Sequence, residues 1–181
     1  MLYNVSQLLR EPVGASRTFP IDDTLPLPSD DSAPVPVRGS VTLLRTQRGL
    51  LARARATVTW PDSCSRCLKP AEAILDLEVE EEYLPTVDPV TGAPLADPED
   101  PVAFRIDAAH HLALDEAIRQ AAVMAAPMQP LCRPDCRGLC PECGVDRNTA
   151  PCACETAPID ERWAGLRAIE TGDAERSSGR N

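Results

Sequence analysis

Alternation with a period of two marks the middle of the chain. Between Leu51 and Trp60 the even positions Ala52, Ala54, Ala56, Val58 and Trp60 are apolar, and Arg53, Arg55, Thr57 and Thr59 lie between them. Successive side chains of a strand point to opposite faces, so this stretch predicts a half-buried strand. The pattern resumes with Leu75, Leu77, Val79 and Tyr83 on odd positions and Asp76, Glu78, Glu80 and Glu82 on even ones. Val37, Val41 and Leu43 predict an earlier strand, followed by a turn at Gln47-Arg48-Gly49. Opposed residues of an antiparallel pair face the same side, and a turn centred between Ser65 and Arg66 meets that condition for the last two strands. It sets Cys64 across from Cys67, Arg55 across from Asp76 and Arg53 across from Glu78. The Cys64-Ser65-Arg66-Cys67 motif becomes the tip of a hairpin.

Outside this meander the signals are shorter. Leu2, Val5, Leu8 and Leu9 have helix-like spacing before Pro12 and Gly14, which predicts a short helix or turn within residues 1–10. Residues 18–25 fit a short edge strand and 26–36 a loop. Residues 85–101 are rich in proline and acid and read as an exposed loop; Phe104 and Ile106 suggest another short strand. Leu114, Ile118, Ala121 and Ala125 recur at helical spacing, so a helix is expected at 111–126, ended by Pro127 and Pro130. Trp163, Leu166 and Ile169 predict a second helix over 158–170 with Pro158 near its start, and 171–181 reads as a disordered tail. The expected fold class is α+β: an antiparallel β-sheet (a meander around 37–83) with a packed helix at 111–126 and a small C-terminal cysteine-rich zinc-knuckle subdomain. Residues 1–130 would form the sheet-plus-helix domain and 131–170 the cysteine-rich part with its helix.

Composition narrows the function classes. Six aromatic residues in a chain of 181 predict a core of modest volume. The net charge of −10 argues against an electrostatic grip on nucleic acid, which needs clustered basic side chains; it suits a basic protein partner, or simple solubility. No stretch reaches the ~18 apolar residues of a membrane span, and the start lacks a basic segment followed by an apolar one. A cytoplasmic protein with no membrane partner is expected. No Ser/His/Asp order, P-loop or dinucleotide glycine motif occurs, and the carboxylates of 76–82 are too regular to form an acid/base pair. Adjacent His110 and His111 are poorly placed to share an ion. The expectation is therefore no enzyme and no small-molecule substrate.

The chemistry concentrates in cysteine. Of eight cysteines, Cys132, Cys136, Cys140, Cys143, Cys152 and Cys154 crowd one stretch, with Cys64 and Cys67 far upstream. Cys140-Pro141-Glu142-Cys143-Gly144 has the form of a zinc knuckle. Zn²⁺ takes four ligands at tetrahedral corners, and thiolates three positions apart reach adjacent corners without backbone strain. Gly144 would supply the positive φ that turns the chain away from the metal. All eight cysteines are candidate metal ligands. Spacing leaves open which of Cys132, Cys136, Cys152 and Cys154 join Cys140 and Cys143, and whether the surplus is spare or shared with Cys64 and Cys67. Two Cys₄ sites would use all eight. A thioredoxin-like role for Cys64 and Cys67 is disfavoured because that motif sits at a strand-to-helix junction, whereas strands flank it here. A thiol redox or iron–sulfur protein stays as the lesser alternative.

Longer motifs resemble a known family. Pro127-Met128-Gln129-Pro130-Leu131-Cys132, then Cys136-Arg137-Gly138-Leu139-Cys140-Pro141-Glu142-Cys143-Gly144 and Cys152-Ala153-Cys154, are similar to the cysteine-bearing members of the YceD family, the large ribosomal RNA subunit accumulation proteins. Asn4-Val5-Ser6-Gln7-Leu8-Leu9-Arg10-Glu11-Pro12 and Cys64-Ser65-Arg66-Cys67-Leu68-Lys69-Pro70 resemble it too, in the same order. The family pattern after the knuckle glycine reads Asp/Asn-Leu-Asn; this chain has Asp146-Arg147-Asn148, a change expected at the surface. The resemblance implies a cytoplasmic, non-catalytic ribosome-biogenesis factor that supports synthesis, processing or stability of the large-subunit (23S) ribosomal RNA. Its partners would be ribosomal large-subunit components, ribosomal protein or rRNA. In one route the Asp76/Glu78/Glu80/Glu82 face holds a basic ribosomal protein or assembly intermediate. In the other, a zinc-ribbon module binds RNA through Arg133, Arg137 and Arg147, offset by Asp135, Glu142 and Asp146.

Overall fold

The computed structural model describes residues 1–27, 33–96, 102–154 and 162. The chain divides into two units, Met1–Gly138 and Leu139–Asn181. The helix expected at 158–170 and the tail at 171–181 fall outside the described residues, apart from residue 162.

The first unit is mostly β-sheet. In chain order its elements are β1 (Leu2–Asn4), α1 (Ser6–Arg10), β2 (Ser16–Leu25), β3 (Val35–Arg45), β4 (Leu50–Ser63), β5 (Pro70–Pro85), β6 (Phe104–Ile106), β7 (His111–Ala113) and α2 (Asp115–Ala125). The seven strands form one sheet in the order β1-β7-β6-β5-β4-β3-β2. The expected meander is present as β3, β4 and β5, extended by β2 at the sheet edge, and these four pair antiparallel. The sheet as a whole is mixed, because β6 returns beside β5 in parallel, with Tyr83 opposite Phe104. That correction has a physical cause: 18 residues separate Pro85 from Phe104, and a parallel neighbour needs a crossover of that length where a hairpin gives an antiparallel one.

Alternation chose the buried faces correctly. Ala52, Ala54, Ala56 and Val58 of β4 and Leu75, Leu77, Val79 and Tyr83 of β5 are buried in one apolar core, with Val37, Val41 and Leu43 of β3. The register differs from expectation by two residues. Arg55 faces Glu78 and Arg53 faces Glu80, and Thr57 takes the place opposite Asp76. A two-residue slip keeps every side chain on its face, which is why pattern alone cannot detect it. Cys64 is not across from Cys67: the last pair is Ser63 with Pro70, and both cysteines lie within the loop.

The N-terminal segment divides into β1 and α1, with Val5, Leu8 and Leu9 buried and Leu2 exposed. The helix expected at 111–126 begins later, at Asp115. His110 takes a left-handed turn (φ 62°), and His111–Ala113 pairs with β1 instead, burying Leu112. Three residues of strand are too few for a period to reveal. Packing of α2 onto the core uses Leu114, Ala117, Ile118 and Ala122, while Ala125 faces solvent. No polar residue is fully buried among the described residues, and no helix there is long and apolar enough to cross a membrane.

Candidate metal sites

At the β4–β5 tip the backbone folds into a tight knuckle. The Cys64 N–H donates to the Lys69 carbonyl (2.8 Å), and the Leu68 N–H donates back to the Cys64 carbonyl (2.9 Å). Leu68 adopts φ 60°, a conformation that an L side chain with a Cβ occupies at a cost of about 1–2 kcal/mol. Cys64 and Cys67 are thereby turned inward and buried. The segment that follows α2 supplies the other half. The Ser65 N–H donates to the Pro130 carbonyl (2.8 Å), and Arg66 Nη1 donates to the Cys136 carbonyl (2.8 Å). Gly138 (φ 70°) lies so close that a Cβ there would stand 2.8 Å from the Arg66 carbonyl oxygen. This clasp brings Cys132 and Cys136 against the hairpin, with Sγ separations of 3.8 Å for Cys64–Cys136 and 3.6 Å for Cys67–Cys132.

The second unit repeats the knuckle bond for bond. The Cys140 N–H donates to the Val145 carbonyl (2.8 Å), the Gly144 N–H to the Cys140 carbonyl (2.9 Å), and Gly144 has φ 72°. Leu139 bridges to Asp146 across the turn. Asp146 Oδ1 accepts from the Asn148 N–H (2.9 Å) and side-chain amide (2.7 Å), so Asp146 and Asn148 shape the turn while Arg147 points to solvent. Sγ separations are 3.3 Å for Cys140–Cys152 and 3.6 Å for Cys143–Cys152.

The eight thiols therefore form two groups, Cys64/Cys67/Cys132/Cys136 and Cys140/Cys143/Cys152/Cys154, and within each all Sγ atoms lie within 4.8 Å of one another. All eight are free of disulfides. Sulfurs 2.3 Å from a tetrahedral centre stand about 3.8 Å apart, so both groups have the dimensions to hold a metal ion. Electrostatics point the same way. In each group the first cysteine of the knuckle is shifted toward the thiolate. The Cys64 thiol is lowered to about 6 because it accepts backbone N–H groups, foremost that of Cys132, then those of Arg66 and Cys67. Cys140 is lowered to about 6 by the Cys143 N–H first, aided by the Cys152 thiol and the Glu142 N–H. The neighbours are pushed the other way: Cys132 to about 12, chiefly by its contact with Cys67, and Cys154 to about 12, chiefly by Cys152. Four thiolates crowded together repel one another, and a cation at the centre is what lets all four ionise.

The other predicted features are placed as follows. Of the arginines expected to touch RNA, Arg133 and Arg137 belong to the first unit and Arg147 to the second. Arg133 lies 3.4 Å from Asp135. The acidic face of β5 is paired across the sheet: Glu80 with Arg53 (2.9 Å), Glu78 with Arg55 (3.1 Å), Asp76 with the Thr57 hydroxyl (2.9 Å) and Glu82 with the Thr46 hydroxyl (3.1 Å). His111 Nδ1 is 3.5 Å from Asp107 and belongs to neither thiol group. Sequence reasoning missed Leu68 and Gly138. The signal was the superposable pair Cys64-Ser65-Arg66-Cys67-Leu68 and Cys140-Pro141-Glu142-Cys143-Gly144, which puts leucine where a left-handed residue is required.

Residues 52–170 match the family model described as "Large ribosomal RNA subunit accumulation protein YceD". Uncharacterised proteins of Mycobacterium bovis and Mycobacterium tuberculosis are 31% identical over 118 residues, covering 65% of this chain and 54% of theirs. One from Mycobacterium leprae is 29% identical over 124 residues, 67% of this chain and 54% of its own length. The chain thus spans about half the length of the curated relatives it matches. No solved structure matches it.

Proposed function

The chain belongs to the YceD family, and we propose from that membership that it is a non-catalytic ribosome-biogenesis factor of the cytoplasm. It supports synthesis, processing or stability of the large-subunit (23S) ribosomal RNA. The observation that carries this reading is the family match over residues 52–170, which includes all eight cysteines. In this reading each four-thiol group holds one Zn²⁺ through four protein ligands. A closed shell leaves no coordination position for a substrate or an activated water, so the metals shape the protein and do not perform chemistry.

The sequence offers two alternative routes to the large subunit. The basic-protein contact through Asp76, Glu78, Glu80 and Glu82 is weakened by the cross-strand partners of those carboxylates, which offset much of the local charge. The RNA contact gains support at the first metal site. Arg66 and Lys69 belong to the knuckle and Arg133 and Arg137 to its clasp, with Arg133 3.4 Å from Asp135. Lys and Arg side chains suit phosphate.

A strain lacking the protein should show reduced large-subunit particles by sedimentation and reduced large-subunit rRNA; normal levels of both would overturn the function. Purified protein should bind rRNA fragments with an affinity that falls as salt rises, and Arg66→Ala with Arg137→Ala should flatten that slope by about two counterions. If the variants lose zinc and leave RNA binding unchanged, those cations serve only the metal. Capture of a basic ribosomal protein with no RNA binding would restore the first contact.

A further inference from the structure

The two thiol groups share a knuckle and differ in access. In the first, Cys64, Cys67 and Cys136 are buried, at 0%, 4% and 2% exposure, and only Cys132 is open to solvent. Its four ligands come from two segments about 65 residues apart in sequence, tied by the Ser65–Pro130 and Arg66–Cys136 hydrogen bonds. In the second group only Cys140 is buried; Cys143 and Cys154 are exposed and Cys152 is half-buried. All four ligands of that group lie within residues 140–154.

From this contrast we propose that the second group is an oxidation site for hydroperoxides, at which a Cys143–Cys152 disulfide forms and zinc is released, while the first group keeps its metal. The proposal rests on the zinc reading given above. Cys143 Sγ is exposed and stands 3.6 Å from Cys152 Sγ, so closing to a disulfide requires an approach of about 1.6 Å. The Cys143 thiolate attacks one oxygen of the hydroperoxide. An S–O bond forms, the O–O bond breaks, and the departing alkoxide takes a proton to leave as an alcohol, or as water when the oxidant is hydrogen peroxide. The Cys152 thiolate then attacks the sulfenic sulfur. The S–S bond forms, the S–O bond breaks, and hydroxide leaves as water after taking a second proton. Two thiolates have given two electrons to the peroxide, and Zn²⁺ has lost two of its four ligands. Exposure of the attacking sulfur and of a resolving neighbour sets the selectivity. In the first group the exposed Cys132 has its near neighbour, Cys67, at the same 3.6 Å but buried.

The test begins with the zinc content of the purified full chain and then adds hydrogen peroxide in the presence of a zinc-binding dye. Two equivalents of zinc should be bound. One should be released roughly tenfold faster than the other, with peptide mapping of the fast phase giving Cys143–Cys152. The circular dichroism of the sheet should not change during that phase, and a dithiol with added zinc should restore the second equivalent. A single release phase, or a first disulfide between any other pair, overturns the proposal and leaves the zinc reading standing. A chain that binds no zinc overturns both.

Discussion

After its second cysteine the first knuckle carries Leu68 at φ 60°, and the second carries Gly144 at φ 72°. The hydrogen bonds around the two positions are the same, so the turn makes the same demand on both. It is met differently because the surroundings differ. Two long strands enter and leave the first knuckle, and the 130–138 clasp crosses its tip, so the framework can impose a strained conformation on a leucine. The second knuckle has the Leu139–Asp146 bridge and a run of local turns, and there the residue with no Cβ is used. One cysteine knuckle is thus set by the fold around it, and the other by its own sequence.

Removing a ligand from each site should break the comparison most sharply. Cys64→Ser takes one thiol out of the four that bring the β4–β5 tip against residues 132–136. The first unit should lose cooperative melting together with its metal, as metallo-domains do when the ion is withdrawn. Cys143→Ser should abolish one equivalent of zinc and move the melting midpoint of the sheet by less than about 2 °C. Zinc analysis and thermal denaturation of both variants check this. Equal losses of sheet stability would mean that the second site also supports the first unit.

The glycines probe the same difference at a smaller scale. Gly138 and Gly144 both have positive φ, so an alanine at either is strained by about 1–2 kcal/mol. At Gly144 nothing lies within 4 Å of the added Cβ, and the strain is the whole cost. At Gly138 the Cβ meets the Arg66 carbonyl oxygen at 2.8 Å, which adds an overpacking cost of about 1–3 kcal/mol. Gly138→Ala should therefore destabilise the first unit more than Gly144→Ala weakens zinc retention in the second. Denaturant titration of the one and chelator competition of the other give the two figures.

How much of this was legible in the sequence depends on the range of the interaction. Ala52 to Val58 and Leu75 to Val79 show their faces because each strand reports its own burial at a period of two. The pairing of Arg55 with Glu78 was not legible, since it depends on how many residues the knuckle consumes, and Leu68 lengthens the loop on one side. Leu112 falls inside the predicted helix because its three-residue strand gains its identity only by pairing with Leu2–Asn4, far away in the chain. The division of the cysteines was hidden for the same reason. Cys136 and Cys140 are separated by three residues and fall in different groups, and the Arg66 bond to the Cys136 carbonyl ties Cys136 to the hairpin tip. Spacing does not encode that contact.

The smallest expected effect tests whether Leu68 is merely tolerated. In Leu68→Gly the left-handed strain of about 1–2 kcal/mol is relieved, and the unfolded chain gains freedom worth about 0.5–1 kcal/mol against folding. Leu68 is 68% exposed, so little buried apolar area is lost. The net should be a stabilisation of roughly 0.5 kcal/mol, read as a small rise in the denaturant midpoint with an unchanged slope. A destabilisation instead would show that the Leu68 side chain packs in solution. A stabilised variant with weaker rRNA binding would show that the strain holds an apolar side chain outward beside Arg66 and Lys69, where a nucleobase could rest against it. The first knuckle would then differ from the second by presenting a contact, and its leucine would have a use that Gly144 cannot have.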